Sequence, residues 1–224
     1  MLKKILFLIS LVFVAFASIG TMLIFSGAVM HESIFLLCFV IAFALMIISM
    51  LIDLKKSDSV DDKIKKWNLW LKILFAVYCI FLALILFFYG SSRETLKHMN
   101  ISWLSTEHFQ MCNIIPFSSI IEYFERVQAG RLSITVALKN IIINLILFMP
   151  MGFFFAVLFK KINNVFKCLG CVFAIVLLAE IIQFVSLSGV FDVDDIILNC
   201  VGAVIAYLLT KTKTVNKMLN KIKE

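Results

Sequence analysis

Long apolar runs separated by short charged segments dominate the pattern along this chain. The runs lie near 5–27, 34–52, 69–90, 134–159, 168–188 and 195–210. A helix needs roughly 20 residues, at about 1.5 Å of rise each, to cross about 30 Å of hydrocarbon. The alternation of apolar and polar residues typical of a β-barrel strand is missing. The pattern therefore predicts an all-α polytopic membrane bundle of about six transmembrane helices.

Polar side chains enter the last three runs, whereas the first two are almost free of them. A charge at the centre of a membrane helix costs about 2.5–3.5 kcal/mol on insertion scales, so such residues face a protein interior or a wet cavity. We therefore treat these positions as candidate ligand-binding residues: Lys139, Asn140, Asn144, Glu180, Gln183, Asp192, Asp194, Asp195 and Asn199.

Helical spacing gathers these polar positions. Asn140 and Asn144 are four residues apart, and Glu180 and Gln183 are three apart. A stripe of Asp192, Asp195, Asn199 and Gly202 lies along the last run, where the small Gly202 is expected to let another helix approach closely. Because neighbouring spans run in opposite directions, all of them fall in the outer half of the bilayer. The spacing predicts a polar cavity open to the outer face. Lys139 is expected to reach Glu180 or Asp195, or to extend outward to the interface. The alternative is purely structural, with amides joining helices and a lysine–carboxylate pair.

The connecting segment 91–133 carries local signals of its own. Ser119 and Glu122 have the spacing of a capping box, which predicts a helix start at Ser119. Ile120, Ile121, Phe124 and Val127 then share one face of an amphipathic helix, which either lies on the outer leaflet or packs over the spans. Before it, Asn113 and Pro116 favour an extended or turned entry, or a short re-entrant turn. Further on, Pro150 and Gly152 predict a break in the fourth span.

Composition and charge support a membrane protein and set its orientation. The chain of 224 residues is 62% hydrophobic, well above the roughly 45–50% of soluble domains. Lysines concentrate at both ends and in alternate connecting segments, which places both termini in the cytoplasm. The net charge of +7 is dispersed over these segments, so no nucleic-acid partner is expected. Trp67 and Trp70, at the inner end of the third span, are interpreted as interfacial anchors.

Motifs for metal or nucleophilic chemistry are missing from the sequence. Cys168 and Cys171 form a lone CxxC pair, with no further cysteine or histidine nearby to complete a zinc site. The other cysteines lie mostly in apolar runs and are expected to pack as small hydrophobic side chains. The three histidines, His31, His98 and His108, show no ligand spacing. We expect no metal and no cofactor.

Four stretches in the C-terminal part resemble the VanZ-like family of bacterial membrane proteins. They are Asn113-Ile-Ile-Pro-Phe117, Asn144-Leu-Ile-Leu-Phe-Met-Pro-Met-Gly152, Glu180 with Gln183, and Phe191-Asp-Val-Asp-Asp-Ile-Ile-Leu-Asn-Cys-Val-Gly202. The resemblance implies a bacterial cell-envelope protein linked to resistance against glycopeptide antibiotics, notably teicoplanin. Many family members look to have an arginine three residues before the first aspartate of the last stretch. Here that position is Gly189, and Lys139 or Arg131 is the candidate substitute.

The sequence divides into two predicted regions and leaves three functions open. Residues 1–68 hold two apolar spans and a charged loop, and 69–224 form the VanZ-like region with the outer loop 91–133. The first hypothesis is a multi-pass protein of the cell membrane that binds a lipid-linked envelope molecule or a lipoglycopeptide. Asn113 and Pro116 join the polar positions in that site. The second is an intramembrane enzyme with Glu180 or Asp195 as acid or base. The third is an ion-coupled transporter, for which a homodimer would supply the missing half.

Overall fold

The chain is all-α in the part that the structure, a computed structural model, describes: residues 7–9, 14, 32–88 and 106–223. The only β-type pairing among these residues is an isolated parallel bridge between Asn113 and Asp192. Besides the helical residues 7–9 and 14, the helices are α1 Glu32–Lys55, α2 Val60–Phe88, α3 Thr106–Gln110, α4 Ser118–Gln128, α5 Ile134–Leu147, α6 Met149–Leu158, α7 Val165–Val185, α8 Val193–Lys211 and α9 Lys213–Lys223. The predicted fold class is confirmed.

Five stretches of the described residues are long and apolar enough to cross a membrane. They are Leu37–Lys55, Val60–Phe87, Ile134–Leu158, Val165–Val185 and Val193–Lys211. Each matches one predicted span to within a few residues, except at the start of α2. The first predicted span, 5–27, lies almost entirely outside the described residues. The orientation of the chain in the membrane stays a prediction.

The third span begins earlier than its apolar run, because its first turns are polar but well capped. We expected the segment 53–68 to be a solvated connector, yet α2 begins at Val60. The Ser59 hydroxyl accepts a hydrogen bond from the Asp62 backbone N–H at 3.2 Å, as an N-cap does. Asp61 and Asp62 occupy the first turn, where carboxylates suit the helix dipole, and Lys66 pairs with Asp62 one turn later. Local capping therefore extends the helix beyond the membrane run.

The fourth span is broken, as Pro150 predicted. The helix α5 ends at Leu147 and α6 begins at Met149, with Phe148 between them at φ −97° and ψ 0°. Pro150 stands in the first turn of α6, where its missing N–H costs nothing, whereas inside a continuous helix its ring would clash with the preceding turn. The break changes the course of the span next to α8.

The chain divides into two compact units, one of Met1–Tyr89 with Lys213–Glu224 and the other of Gly90–Thr212. In the first unit α1 packs on α2. The indole N–H of Trp70 donates to a carboxylate oxygen of Asp53 at 3.0 Å, and both side chains are buried. Trp67 is also buried. The interpretation of these tryptophans as interfacial anchors is therefore wrong, because they pack inside the helix pair and Trp70 satisfies a buried carboxylate.

In the second unit α8 is the central helix and packs against α4, α5, α6 and α7. Two glycines make the closest approaches. A Cβ added at Gly202 would lie 1.7 Å from the Leu145 carbonyl oxygen, and one at Gly152 would lie 1.9 Å from the Ala203 carbonyl oxygen. Both distances are impossible for real atoms, so only glycine allows the backbones to touch. This confirms the close helix approach expected at Gly202.

Candidate functional site

The N-terminus of α8 carries the aspartates around which the candidate site is built. Asp192 is the N-cap of α8, and its carboxylate accepts the Asp194 backbone N–H at 2.8 Å. This pattern follows from the sequence, because a short acidic side chain before an apolar helix satisfies the unpaired donors of its first turn. The cap fixes all three aspartates at the end of one buried helix.

Asn113 ties the segment before α4 to this helix end. Its backbone N–H donates to the Phe191 carbonyl and its carbonyl accepts the Val193 N–H, both at 2.9 Å. Its side-chain amide nitrogen donates to an Asp192 carboxylate oxygen at 2.8 Å and to the Ser119 hydroxyl oxygen at 2.9 Å. The Ser119 hydroxyl donates in turn to the other Asp192 oxygen at 2.6 Å. Asn113, predicted as a site residue, therefore belongs to the aspartate cluster.

Asp194 caps the helix α4 from a distant part of the chain. Its carboxylate, 1% exposed, accepts the backbone N–H groups of Phe117 and of Ile120, the latter at 3.2 Å. The capping box predicted from Ser119 and Glu122 is wrong: α4 begins at Ser118, Ser119 bonds to Asp192, and Glu122 pairs with the exposed Arg126. A carboxylate supplied by α8 takes the capping role, which local spacing cannot reveal.

Asp195 points from α8 towards α5. Its carboxylate accepts the side-chain N–H of Asn144, and its backbone carbonyl accepts the Asn199 amide N–H at 2.8 Å. The side-chain oxygen of Asn199 is buried without a hydrogen-bond partner, and the residue is 3% exposed. Asn199 stands between Asp195 and Gly202 on the stripe that faces α5. Helical spacing predicted the stripe, whereas the contact of Asp195 with Asn144 is visible only in the fold.

Glu180 approaches the same cluster from α7. It is 4% exposed, and one carboxylate oxygen accepts the Asp192 backbone N–H at 3.3 Å. Among the described residues, no lysine or arginine forms an ion pair with Glu180 or with the three aspartates; the pairs that form there are Lys66–Asp62 and Arg126–Glu122. The cluster is therefore rich in carboxyl groups and has no cationic side chain of its own in that part of the chain.

Lys139 is not part of this cluster. Its side chain is exposed on α5 and makes no ion pair with any described residue, so neither a Lys139–Glu180 nor a Lys139–Asp195 pair forms. Arg131 is likewise exposed and unpaired with any described acid. Neither residue replaces the arginine expected at Gly189. Helical spacing predicts how far along α5 Lys139 lies, but it does not determine which residues its side chain meets.

The remaining predicted residues lie at the edge of the cluster. The backbone of Gly189 faces the side chain of Gln183, 3.5 Å from where a Cβ would stand. Pro116 is exposed in the segment before α4. Asn140 meets the hydroxyl of Tyr123, a residue of α4 that sequence analysis missed. Burial raises the pKa of Tyr123, and the nearby negative charge of Asp195 raises it further. Tyr123 therefore adds a hydroxyl group next to Asn140.

His108 is a second residue that the sequence pattern missed. It is fully buried, its ring stacks on Phe184 at 4.3 Å between centroids, and its Nε2 lies 3.1 Å from the Phe184 carbonyl oxygen. That carbonyl belongs to the last turn of α7, where helix carbonyls lack intrahelical partners. His108 thus packs α3 onto the end of α7. No group of three or more His, Cys, Asp or Glu side chains within the described residues has an arrangement that holds a metal ion.

The five membrane-length helices, with acids and amides gathered where α7 and α8 meet, define a polytopic helical membrane protein with a polar centre in its second unit. A family model described as VanZ/LLP1 matches residues 75–215, well over half of the chain, and includes every residue of the polar cluster. The chain belongs to the VanZ/LLP1 family. A search of curated proteins and a search of solved structures each found no match.

Proposed function

We propose that this protein acts in the bacterial cell membrane by binding the polar group of a membrane-resident envelope molecule or lipoglycopeptide at the carboxyl–amide cluster. Binding there lowers susceptibility to glycopeptide antibiotics such as teicoplanin by changing the access of such a molecule to the membrane. The ligand-binding residues are those that meet at the end of α8: Asn113, Asn144, Glu180, Asp192, Asp195 and Asn199, with Asn140 and Tyr123 at the edge.

The observation that carries this proposal is that no lysine or arginine of the described residues pairs with any of the four gathered carboxyl groups. Asp194 is committed to the backbone of α4, but Glu180 accepts a single hydrogen bond at 3.3 Å and has no ion pair with any described residue. Buried carboxyl groups are costly unless donors or cations satisfy them. A ligand that presents amine or hydroxyl groups supplies the hydrogen-bond donors that the described residues do not provide to these carboxyl groups. The partnerless oxygen of Asn199 adds a further acceptor.

Removing the carboxyl group of Glu180 tests this proposal. Glu180→Gln keeps the shape and retains an oxygen that accepts the Asp192 N–H, but it removes the ionisable carboxyl group. We expect several-fold weaker binding of teicoplanin to the protein in nanodiscs, and loss of any protection that the wild-type gene gives a susceptible strain. The matched control is Asp58→Asn, an exposed acid in the loop between α1 and α2. Unchanged binding and unchanged susceptibility in Glu180→Gln would rule out a site at Glu180.

An intramembrane enzyme is the second candidate, because Glu180 and Asp195 both lie beside Asp192 and so provide two carboxyl groups for proton transfer. Its substrate would be a lipid-linked envelope molecule, and deletion of the gene would change the cell's lipid-linked precursors. An unchanged lipid profile in the deletion strain would contradict catalysis. A transporter that relays protons through Lys139 and Glu180 is not favoured, because Lys139 is exposed and forms no ion pair with Glu180.

A further inference from the structure

The segment that enters α4 lies at a depth set by its contacts with α5 and α8. Asn144, the partner of Asp195, is ten residues after Ile134, or about 15 Å along the helix axis. The span Ile134–Leu158 has 25 residues, about 37 Å, against about 30 Å of hydrocarbon. Even with all of the excess at the α5 end, Asn144 lies about 8 Å inside the hydrocarbon. The start of α8 lies at that depth.

The start of α4 lies at the same depth, because it is bonded directly to the start of α8. Asp194, the neighbour of Asp195, holds the backbone of Phe117 and Ile120, and Asn113 pairs with the backbone of Phe191 and Val193. In the middle of α4, Tyr123 meets Asn140. Asn140 lies about 9 Å along α5 from the start of that helix. The entry to α4 is thus deeper than its middle.

Most of the backbone N–H groups of this entry are satisfied inside the protein. The residues whose N–H groups donate to protein acceptors are Asn113, Ile115, Phe117, Ser118, Ile120 and Ile121, and Pro116 has no N–H to satisfy. Irregular backbone at membrane depth is tolerated only where its polar groups are satisfied without bulk water. A surface loop in water needs less internal pairing, because water satisfies its polar groups.

The side chains of the same segment are apolar and exposed. Ile114 is 71% exposed, Ile115 66%, Phe117 55%, Ile121 55% and Phe124 42%. We call these five residues the apolar rim. Such a contiguous group is unfavourable in water.

The rim residues of α4 lie on a different face of the helix from its other residues. Ile120, Tyr123 and Val127 form the half-buried face that packs on the unit, whereas Glu122, Glu125 and Arg126 form a third, charged and exposed face. One apolar face of α4 therefore packs on the spans, as one of the two alternatives predicted, and another apolar face is left uncovered.

We propose that residues 113–124 are embedded in the leaflet on the side where α5 begins, with the apolar rim in contact with lipid acyl chains and the charged face of α4 towards the headgroups. The lipid is favoured over a second copy of the chain, because α4 packs against α5, a membrane-length helix whose own exposed side chains Leu138, Ile142 and Ile143 are apolar. This inference is independent of the ligand proposed for the polar cluster.

Photocrosslinking in the full-length protein tests this proposal. The photoreactive amino acid benzoylphenylalanine replaces Ile115 or Phe124 on the rim, and Glu125 on the charged face is the matched control on the same helix. After illumination in native membranes, mass spectrometry measures phospholipid adducts. We expect a several-fold higher yield of adducts at positions 115 and 124 than at 125. Size-exclusion elution like that of wild type shows that each variant is folded.

Two results would overturn the embedded segment. Equal and low adduct yields at 115, 124 and 125 would show that the rim is in water. Covalent dimers at 115 and 124 without lipid adducts would show that a second copy covers it. Because two separate rim positions are used, misfolding of one variant still leaves the other to decide between lipid, water and protein.

Discussion

At the residue scale, one carboxylate holds the segment before α4 in place. Asp194 looked like one of three equivalent acids at the mouth of the last span, yet it is almost fully buried and caps a helix that lies more than seventy residues earlier in the chain. Asp192 and Asp195 make different contacts, with Asn113 and Ser119 in one case and Asn144 in the other. The three aspartates therefore have different roles, and the role of Asp194 is to hold the backbone at the start of α4.

The role of Asp194 predicts a loss of stability on its removal. Asp194→Ala leaves the Phe117 and Ile120 N–H groups without acceptors, and each buried unsatisfied group costs about 1–3 kcal/mol. We expect a clearly lower Tm in detergent, measured by the unfolding of the purified protein. Glu125→Ala, an exposed acid on α4, serves as control and should leave Tm unchanged. Equal effects of the two substitutions would contradict the capping role.

Gly189→Arg is predicted to weaken ligand binding without affecting folding. Its φ is not positive, and a Cβ there meets only Gln183 at ordinary contact distance, so Gly189→Arg fits the backbone. The new guanidinium stands next to the acid cluster and competes with a donor-rich ligand. We expect weaker teicoplanin binding in nanodiscs and an unchanged Tm. Gly189→Gln, which adds bulk without charge, is the control; equal weakening by both would point to obstruction rather than to charge.

At the scale of elements, the packing of α8 depends on glycines at two contacts. Gly202 touches the backbone of α5 and Gly152 brings the backbone of α6 against α8, on either side of the break at Phe148. The break at Phe148 lies between these two contacts along the chain. Both halves of the broken span therefore pack directly on the central helix α8. Sequence spacing had marked Gly202 as a site of close approach, whereas the partner of Gly152 became visible only in the fold.

Three glycine-to-alanine substitutions separate close packing from helix propensity. Gly202→Ala and Gly152→Ala force a methyl group into a backbone carbonyl and should each cost about 1–3 kcal/mol or more of unfolding free energy. Gly170→Ala, in α7, meets nothing within 4 Å and should be neutral or slightly stabilising. Thermal unfolding in one detergent measures all three. A drop in Tm for Gly170→Ala as large as for the other two would contradict packing as the cause.

At the scale of the whole molecule, the described helices and the lysine pattern together predict a topology. The loop between α1 and α2, the loop between α6 and α7, and α9 should lie on the cytoplasmic side, and α4 on the other. Short epitope tags inserted at 57–58, 162–163 and 129–130 of the full-length chain test this. Only the tag at 129–130 should bind antibody in intact spheroplasts, and the others only after permeabilisation. Exposure of the 162–163 tag in intact spheroplasts would contradict it.

The sequence by itself determined the number, type and approximate bounds of the five described spans, because lipid demands long apolar helices with internally satisfied backbones. Periodicity also determined which polar residues share a helix face, so the stripe of Asp192, Asp195 and Asn199 was predicted, whereas the Asn144–Asp195 contact was not. The four quoted stretches were enough to indicate the family.

Only the tertiary structure decided which polar side chains meet. Asp194 caps α4, Tyr123 reaches Asn140, and His108 is buried against Phe184, because side chains on separate helices are brought together by packing rather than by spacing along the chain. Lys139 is exposed and forms no ion pair with the acids among the described residues, since the rotation of a helix about its axis is fixed by its neighbours. The segment at 113–124 is likewise positioned by its bonds to α8, which no local pattern specifies.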